Sequence, residues 1–120
     1  MRNISFFLTQ EQIRSQSKTV TRRSGWHWLQ PGTLLQPVEK GQGLKKGEKV
    51  KKIGPPIRVV EVSRVPLTLI DNDDVRREGF PDMTSEEFIA FYAKANKLKV
   101  PEQVLVTRIE FEYIPFLSKT

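Results

Sequence analysis

The chain has 120 residues, a formal net charge of +6, 38% apolar residues and no cysteine. Its length suits a single domain, residues 1–120, with a modest core. No apolar stretch approaches the roughly 18 residues that span a bilayer, so no membrane partner is expected, and the lack of thiols excludes disulfides and thiolate metal sites.

The charge is uneven. Residues 1–60 carry +9 and residues 61–120 carry −3. Field strength depends on clustering, so nucleic acid is a natural partner for the basic half. The plain alternative is charge that only aids solubility. Met1 to Leu8 turns polar too quickly for a signal peptide, which leads to the expectation of a cytoplasmic protein.

In chain order, Ile4 to Leu8 is a short apolar run that reads as a buried strand. Thr9 with Gln12 makes a capping-box pattern that opens a short helix over Gln10 to Ser15. Lys18 to Arg23 reads as a strand or extended turn, and Trp26 to Gly32 as a loop with its turn at Pro31-Gly32. Thr33 to Val38 reads as a strand, 40–47 as a flexible basic loop, and Glu48 to Ile53 as a further strand ended by Gly54-Pro55-Pro56. Ile57 to Val65 is rich in β-branched residues and is the strongest strand signal.

Asp71 to Gly79 reads as a short helix, with acids in its first turn, arginines near its end and Gly79 at the C-cap. Thr84 to Glu87 is a second capping box, opening a helix with Phe88, Phe91, Tyr92 and Ala95 on one face. Gln103 to Tyr113 alternates as a long, half-buried strand. Short strands with interspersed helices predict an α+β domain: a small curled sheet or barrel with helices over its openings.

The chemistry concentrates in Ser17-Lys18-Thr19-Val20-Thr21-Arg22-Arg23. An ammonium, hydroxyls and two guanidinium forks suit an anionic or carbonyl-bearing ligand, such as a phosphate or a nucleobase. The competing reading is an exposed basic strand edge that discourages pairing with other chains. For RNA, Lys18, Arg22 and Arg23 would contact phosphates. Lys40, Lys45, Lys46, Lys49, Lys51 and Lys52 would extend the basic track. Trp26 or Trp28 could stack on an unpaired base, although core packing would equally account for a tryptophan.

His27 is a lone histidine, and the Asp71, Asp73, Asp74 cluster is explained by helix capping, so neither metal nor other cofactor is expected. Glu110 and Glu112 read as surface or salt-bridge residues.

Taken in order, several short motifs resemble the ASCH domain, a relative of the RNA-binding PUA domains. They are Phe6-Phe7-Leu8-Thr9, Lys18-Thr19-Val20-Thr21-Arg22-Arg23, Gly25-Trp26, Pro31-Gly32, Ile57 to Val62 leading to Pro66-Leu67, Glu78-Gly79-Phe80, Glu86-Glu87-Phe88 with Tyr92, and Val106 to Glu112. The resemblance covers about residues 4–114. It implies a small PUA-like β-barrel with flanking short helices, and a cleft lined by the Lys-Thr run and the Glu-Gly motif. It also implies RNA or nucleotide binding.

Some similar small bacterial proteins are amidohydrolases that deacetylate N4-acetylcytidine, and a ribonuclease role is known for other members. The amidohydrolase set falls here on Lys18, Thr21 and Glu78. Such a lysine needs a pKa well below its free value of about 10.4, with Arg22 and Arg23 as candidate neighbours. In a regular strand Lys18 and Thr21 would point to opposite faces, so they converge only if the run begins in a turn.

The chain departs from the family at Gln16, where a glycine usually precedes the lysine by two residues and permits positive φ. The 40–47 insertion is also longer than in the minimal amidohydrolases. A protein-interaction module, docking its basic face on an acidic partner, is the third class.

Overall fold

The structure, a computed structural model, describes residues 1–41 and 47–115. Among them, five strands form one sheet: β1 (Arg2–Ser5), β2 (Val20–Arg23), β3 (Leu34–Val38), β4 (Ile57–Pro66) and β5 (Leu105–Tyr113), in the order β1-β3-β4-β5-β2. β1 runs parallel to β3, and the other pairs are antiparallel. The β-branched segment is indeed the spine, since β4 pairs with β5 along almost its full length, with a register slip between Val59 and Glu61. Three short helices complete the fold: α1 (Gln10–Arg14), α2 (Asn72–Arg77) and α3 (Ser85–Ala95).

The α+β class holds, but the expected barrel closure is not seen. No ladder joins β1 to β2 among the described residues. Both edge strands are four residues long. Between them a side chain takes the place of a ladder, as Arg23 Nη2 donates to Ser5 O at 2.7 Å.

Other expectations need correction. β1 ends at Ser5, and Phe7–Thr9 is a tight 3-10 turn rather than strand. The Thr9 side chain is buried and makes no capping hydrogen bond, so the box before α1 does not form. Glu48 to Ile53 contributes a single bridge, Lys52 to Val38, because Gly54-Pro55-Pro56 follows too closely to extend it. The box before α3 does form: Glu87 N donates to Thr84 Oγ1 at 3.1 Å and Thr84 N to Glu87 Oε1 at 2.9 Å.

Two apolar clusters flank the sheet. One gathers Ile4, Phe6, Ile13, Leu35, Ile57 and Phe111 among its members, and the other packs Leu67, Ile70, Val75, Phe88, Tyr92 and Val106. The alternation of β5 holds from Thr107 onward, where Ile109 and Phe111 are buried and Glu112 is exposed. Val106 and Thr107 are both buried, because that end of β5 is covered on both faces.

Two helix ends meet beside the sheet. α1 closes with Ser17 N donating to Gln12 O (3.0 Å) and Gln16 N to Ile13 O (3.1 Å), a Schellman motif with Gln16 at φ +62°. α2 closes the same way, with Phe80 N on Val75 O (3.2 Å), Gly79 N on Arg76 O (2.9 Å) and Gly79 at φ +103°. Gln12 lies on Gly79, where an added Cβ would stand 2.7 Å from Gln12 Cγ. Gly79 is thus required by conformation and by contact, and it brings Glu78 to the segment that carries Lys18.

The turn that glycine usually makes is therefore retained here by glutamine in the left-handed region. Left-handed backbone costs an L-residue about 1–2 kcal/mol, and glycine loses about 0.5–1 kcal/mol more in entropy on folding. Gln16→Gly is expected to raise stability by about 0.5–1 kcal/mol, read as a higher urea midpoint at unchanged slope. An equal or lower midpoint would show that Gln16 is not strained.

Candidate functional site

Lys18 leaves the turn at Gln16 before β2 begins, so the strand's alternation does not apply to it. Its backbone is fixed on both sides: Tyr113 Oη donates to Lys18 O at 2.6 Å, and Thr19 N donates to Arg77 O at 2.8 Å. As a result Lys18 and Thr21 line the same cavity, of about 240 Å³. Glu78 and Arg22 join them on its polar side, and Phe80, Phe88, Phe91 and Tyr92 form an aromatic side.

The polar side is one end of a chain of charges that runs on behind the cavity wall. Lys18 and Glu78 are each 3% exposed. Lys18 Nζ donates to Glu78 Oε1 at 2.8 Å and to the carbonyl of Glu78 at 2.7 Å. Arg22 Nη1 donates to Glu78 Oε2 at 3.1 Å, and Arg22 Nη2 to Asp74 Oδ2 at 2.6 Å. Arg108 completes the chain with a two-pronged contact to Asp74, Nε to Oδ2 at 2.7 Å and Nη2 to Oδ1 at 2.8 Å. Outside it, Arg108 lies 3.6 Å from both Glu61 and Glu110.

These surroundings shift several protonation equilibria. Burial lowers the Lys18 ammonium below its ordinary value; Glu78 opposes the shift, and Arg23 and Arg22 add to it. Desolvation draws the Arg23 guanidinium down to about 10, which still leaves it charged at neutral pH. The Arg108 hydrogen bonds, aided by Arg22, hold Asp74 at about 2 against the effect of its own burial. Burial raises Tyr92.

Among the described residues, several donors in or behind the cavity wall have no internal acceptor. An ammonium has three hydrogens, and Lys18 uses two of its own on Glu78. Thr21 Oγ1 accepts from Arg23 Nε at 3.1 Å, which leaves its proton free. The Tyr92 hydroxyl is buried behind the wall, with Ser24 beside it. Arg22 Nε is buried and unpaired as well. Three cations and one carboxylate line the cavity, so it favours an electron-rich ligand.

The remaining anticipated residues lie elsewhere. Arg22 turns inward to two carboxylates rather than outward to solvent. Trp26 and Lys40 line a second cavity next to the first, and Lys40 stands 3.7 Å from Glu48. The Trp26 and Trp28 rings stack, with centroids 5.4 Å apart, and Trp26 packs against the core. Lys49 is exposed and lines neither cavity. Lys45 and Lys46 lie outside the described residues. Glu110 and Glu112 pair with Arg77 and Arg58. No cluster of three His, Cys, Asp or Glu suited to a metal occurs among the described residues.

Asp74, Arg108 and Tyr92 were not anticipated as site residues. Asp74 also donates its backbone N–H to the capping carboxylate of Asp71, which is the role its sequence position advertises. Its second role was visible as spacing, because Asp74 and Glu78 are four apart and share a helix face.

No protein-family model and no curated protein matches the chain. Solved structures do. An ASCH domain from Lactobacillus crispatus JV V101 superposes with a TM-score of 0.63 at 16% identity, covering 93% of this chain and 78% of its own. An Enterococcus faecalis V583 protein of family model DUF984 superposes with a TM-score of 0.59 at 18% identity, covering 89% of this chain and 67% of its own. At such identities the likeness is one of fold, and the chain has the ASCH-domain fold that its motifs resemble.

Removing one partner of a buried ion pair typically costs about 3–5 kcal/mol, and Asp74→Asn is expected to fall in that range by urea unfolding. Because the folded Asp74 sits near 2 against an ordinary 3.8, its contribution is complete above 3.8 and is lost as pH falls through about 2. Stability measured across this window should decline in the wild type and decline less in Asp74→Asn. Parallel pH profiles would show that another group titrates.

Proposed function

We propose that the protein binds a nucleobase-bearing ligand, RNA or a nucleotide, with one base in the cavity between Lys18 and Tyr92. The observation that supports this most directly is the pair of uncommitted donors on Lys18 and Thr21, which share the cavity with an aromatic wall that has the Tyr92 hydroxyl buried behind it. A base offers what such a pocket lacks: carbonyl and ring-nitrogen acceptors in a flat apolar ring. Pockets for drug-sized ligands run from about 300 to 1,000 Å³, so a cavity of about 240 Å³ suits a single base or nucleoside.

A second reading, hydrolysis of an amide on the base as in N4-acetylcytidine, is favoured by the lowered Lys18 pKa beside Glu78. Neutral Lys18 would take a proton from water as it adds to the acetyl carbon. The Thr21 hydroxyl would donate to the developing oxyanion. Cleavage of the C–N bond with return of the proton to nitrogen would release acetate and cytidine. Glu78 would hold Lys18 in place and carry the balancing charge.

Titration with cytidine and N4-acetylcytidine tests binding, with Tyr92→Phe as the diagnostic variant. An unpaired buried hydroxyl costs roughly 1–3 kcal/mol, so Tyr92→Phe should stabilise the free protein by about 1 kcal/mol while weakening the ligand about tenfold. Equal affinity in both proteins would remove Tyr92 from the site, and no binding of either nucleoside would sink the base pocket.

Chromatography of the N4-acetylcytidine incubation decides the second reading. Cytidine should be released by the wild type and not by Lys18→Ala, with circular dichroism checking that the variant folds. An active Lys18→Ala would exclude the lysine from the chemistry.

A further inference from the structure

Beside the inner cavity lies a wider one, of about 710 Å³, in the seam where β1 and β2 fail to pair. Arg2 and Asn3 of β1, Arg23 of β2, Trp26 and Lys40 are among its lining residues. It shares Ser5, Phe7 and Arg23 with the inner cavity, so one ligand can occupy both. Among the described residues three cations line it and no carboxylate does, with Glu48 standing 3.7 Å from Lys40.

Trp26 is held there at φ +67°. For a bulky side chain this is a true outlier, of the kind that persists where surrounding structure needs the residue aimed in one direction. Its ring is stacked on Trp28, and the Arg2 guanidinium lies 4.8 Å from the Trp28 centroid. Trp26 is also packed against the core, so what stands beside the cations is the part of its ring that lines the seam.

We propose that this seam is a subsite for the nucleotide next to the one in the inner cavity. A phosphodiester would rest on Arg2, Arg23 and Lys40, and the neighbouring base against the part of Trp26 that lines the seam. The preferred ligand is then a single-stranded oligonucleotide, and a free nucleoside fills the inner cavity alone. The proposal rests on reading the inner cavity as a base site. An acidic peptide would use the cations but leave the tryptophan platform and the shared wall unused.

The test compares cytidine with an oligocytidylate pentamer by calorimetry over a salt series, with Arg2→Ala and Lys40→Ala and a polyglutamate competitor. Thermal melts confirm that the variants fold. The pentamer should bind at least tenfold more tightly than cytidine. Each variant should cut that advantage several-fold and reduce the slope of log K against log salt by about 0.7 per lost phosphate contact.

Equal affinity for pentamer and cytidine, a pentamer advantage intact in the double variant, or equal competition by polyglutamate would each overturn the subsite. If the pentamer binds with the Arg2 and Lys40 dependence and cytidine does not bind, the seam stands and the inner base pocket fails. If neither ligand binds, both fail.

Discussion

The site depends on one buried chain of charges, Arg108–Asp74–Arg22–Glu78–Lys18. It ties α2 to β2, to β5 and to the turn before β2. A helix of six residues has no stability of its own. α2 is held by Val75 in the apolar cluster, by its glycine closure, and by its two carboxylates clasped between arginines and a lysine. Apolar side chains of similar volume would often hold such elements as well or better, because desolvation offsets much of the attraction between buried ions. Stability alone therefore gives weak reason for this chain of charges, and the position of its Arg22–Glu78–Lys18 end along a cavity wall gives a stronger one.

The same chain governs what the cavity presents. Both carboxylate oxygens of Glu78 are occupied, one by Lys18 and one by Arg22. Glu78 thus acts through the groups it holds, as it fixes the Lys18 ammonium with a hydrogen left over. Arg23 does the same for Thr21, filling an acceptor position of the hydroxyl and leaving the proton. Polar groups already oriented by the fold need little reorganisation when a ligand arrives, and in a low-dielectric pocket each hydrogen bond is worth more than in water. The aromatic wall supplies that low dielectric.

Much of this was legible in the sequence, and the failures have physical causes. Lys18, Thr21 and Glu78 stand together as their motifs imply, and Gly79 has the positive φ expected of a C-cap. Arg22 was read as a phosphate contact because a basic run looks solvent-facing; α2 delivers two carboxylates to it across more than fifty residues of chain, which no local pattern records. Tyr92 has the spacing of a core residue and packs as one, but periodicity cannot say that the core ends at a cavity. Glu48 to Ile53 alternates like a strand, yet it forms a single bridge to β3 at Lys52, since alternation reports which faces differ and not whether an edge is available. Barrel closure depends on whether two four-residue edges reach each other, a matter of tertiary geometry.

Arg23 shows why an unclosed sheet is consistent with a binding role. Backbone pairing between β1 and β2 would fill the seam and seal one cavity from the other. Instead Arg23 spans it: Nε on Thr21 Oγ1, Nη2 on Ser5 O, and the guanidinium 4.9 Å from the Phe6 ring centroid. A lysine could not reproduce this, because its ammonium lacks the planar fork that places separate donors in fixed directions. With five N–H donors, Arg23 meets these two acceptors and keeps others for a ligand. A charged side chain in the gap also discourages another chain from adding a strand to either edge. One residue thus keeps the seam open, guards the sheet edges, and orients the threonine of the inner cavity.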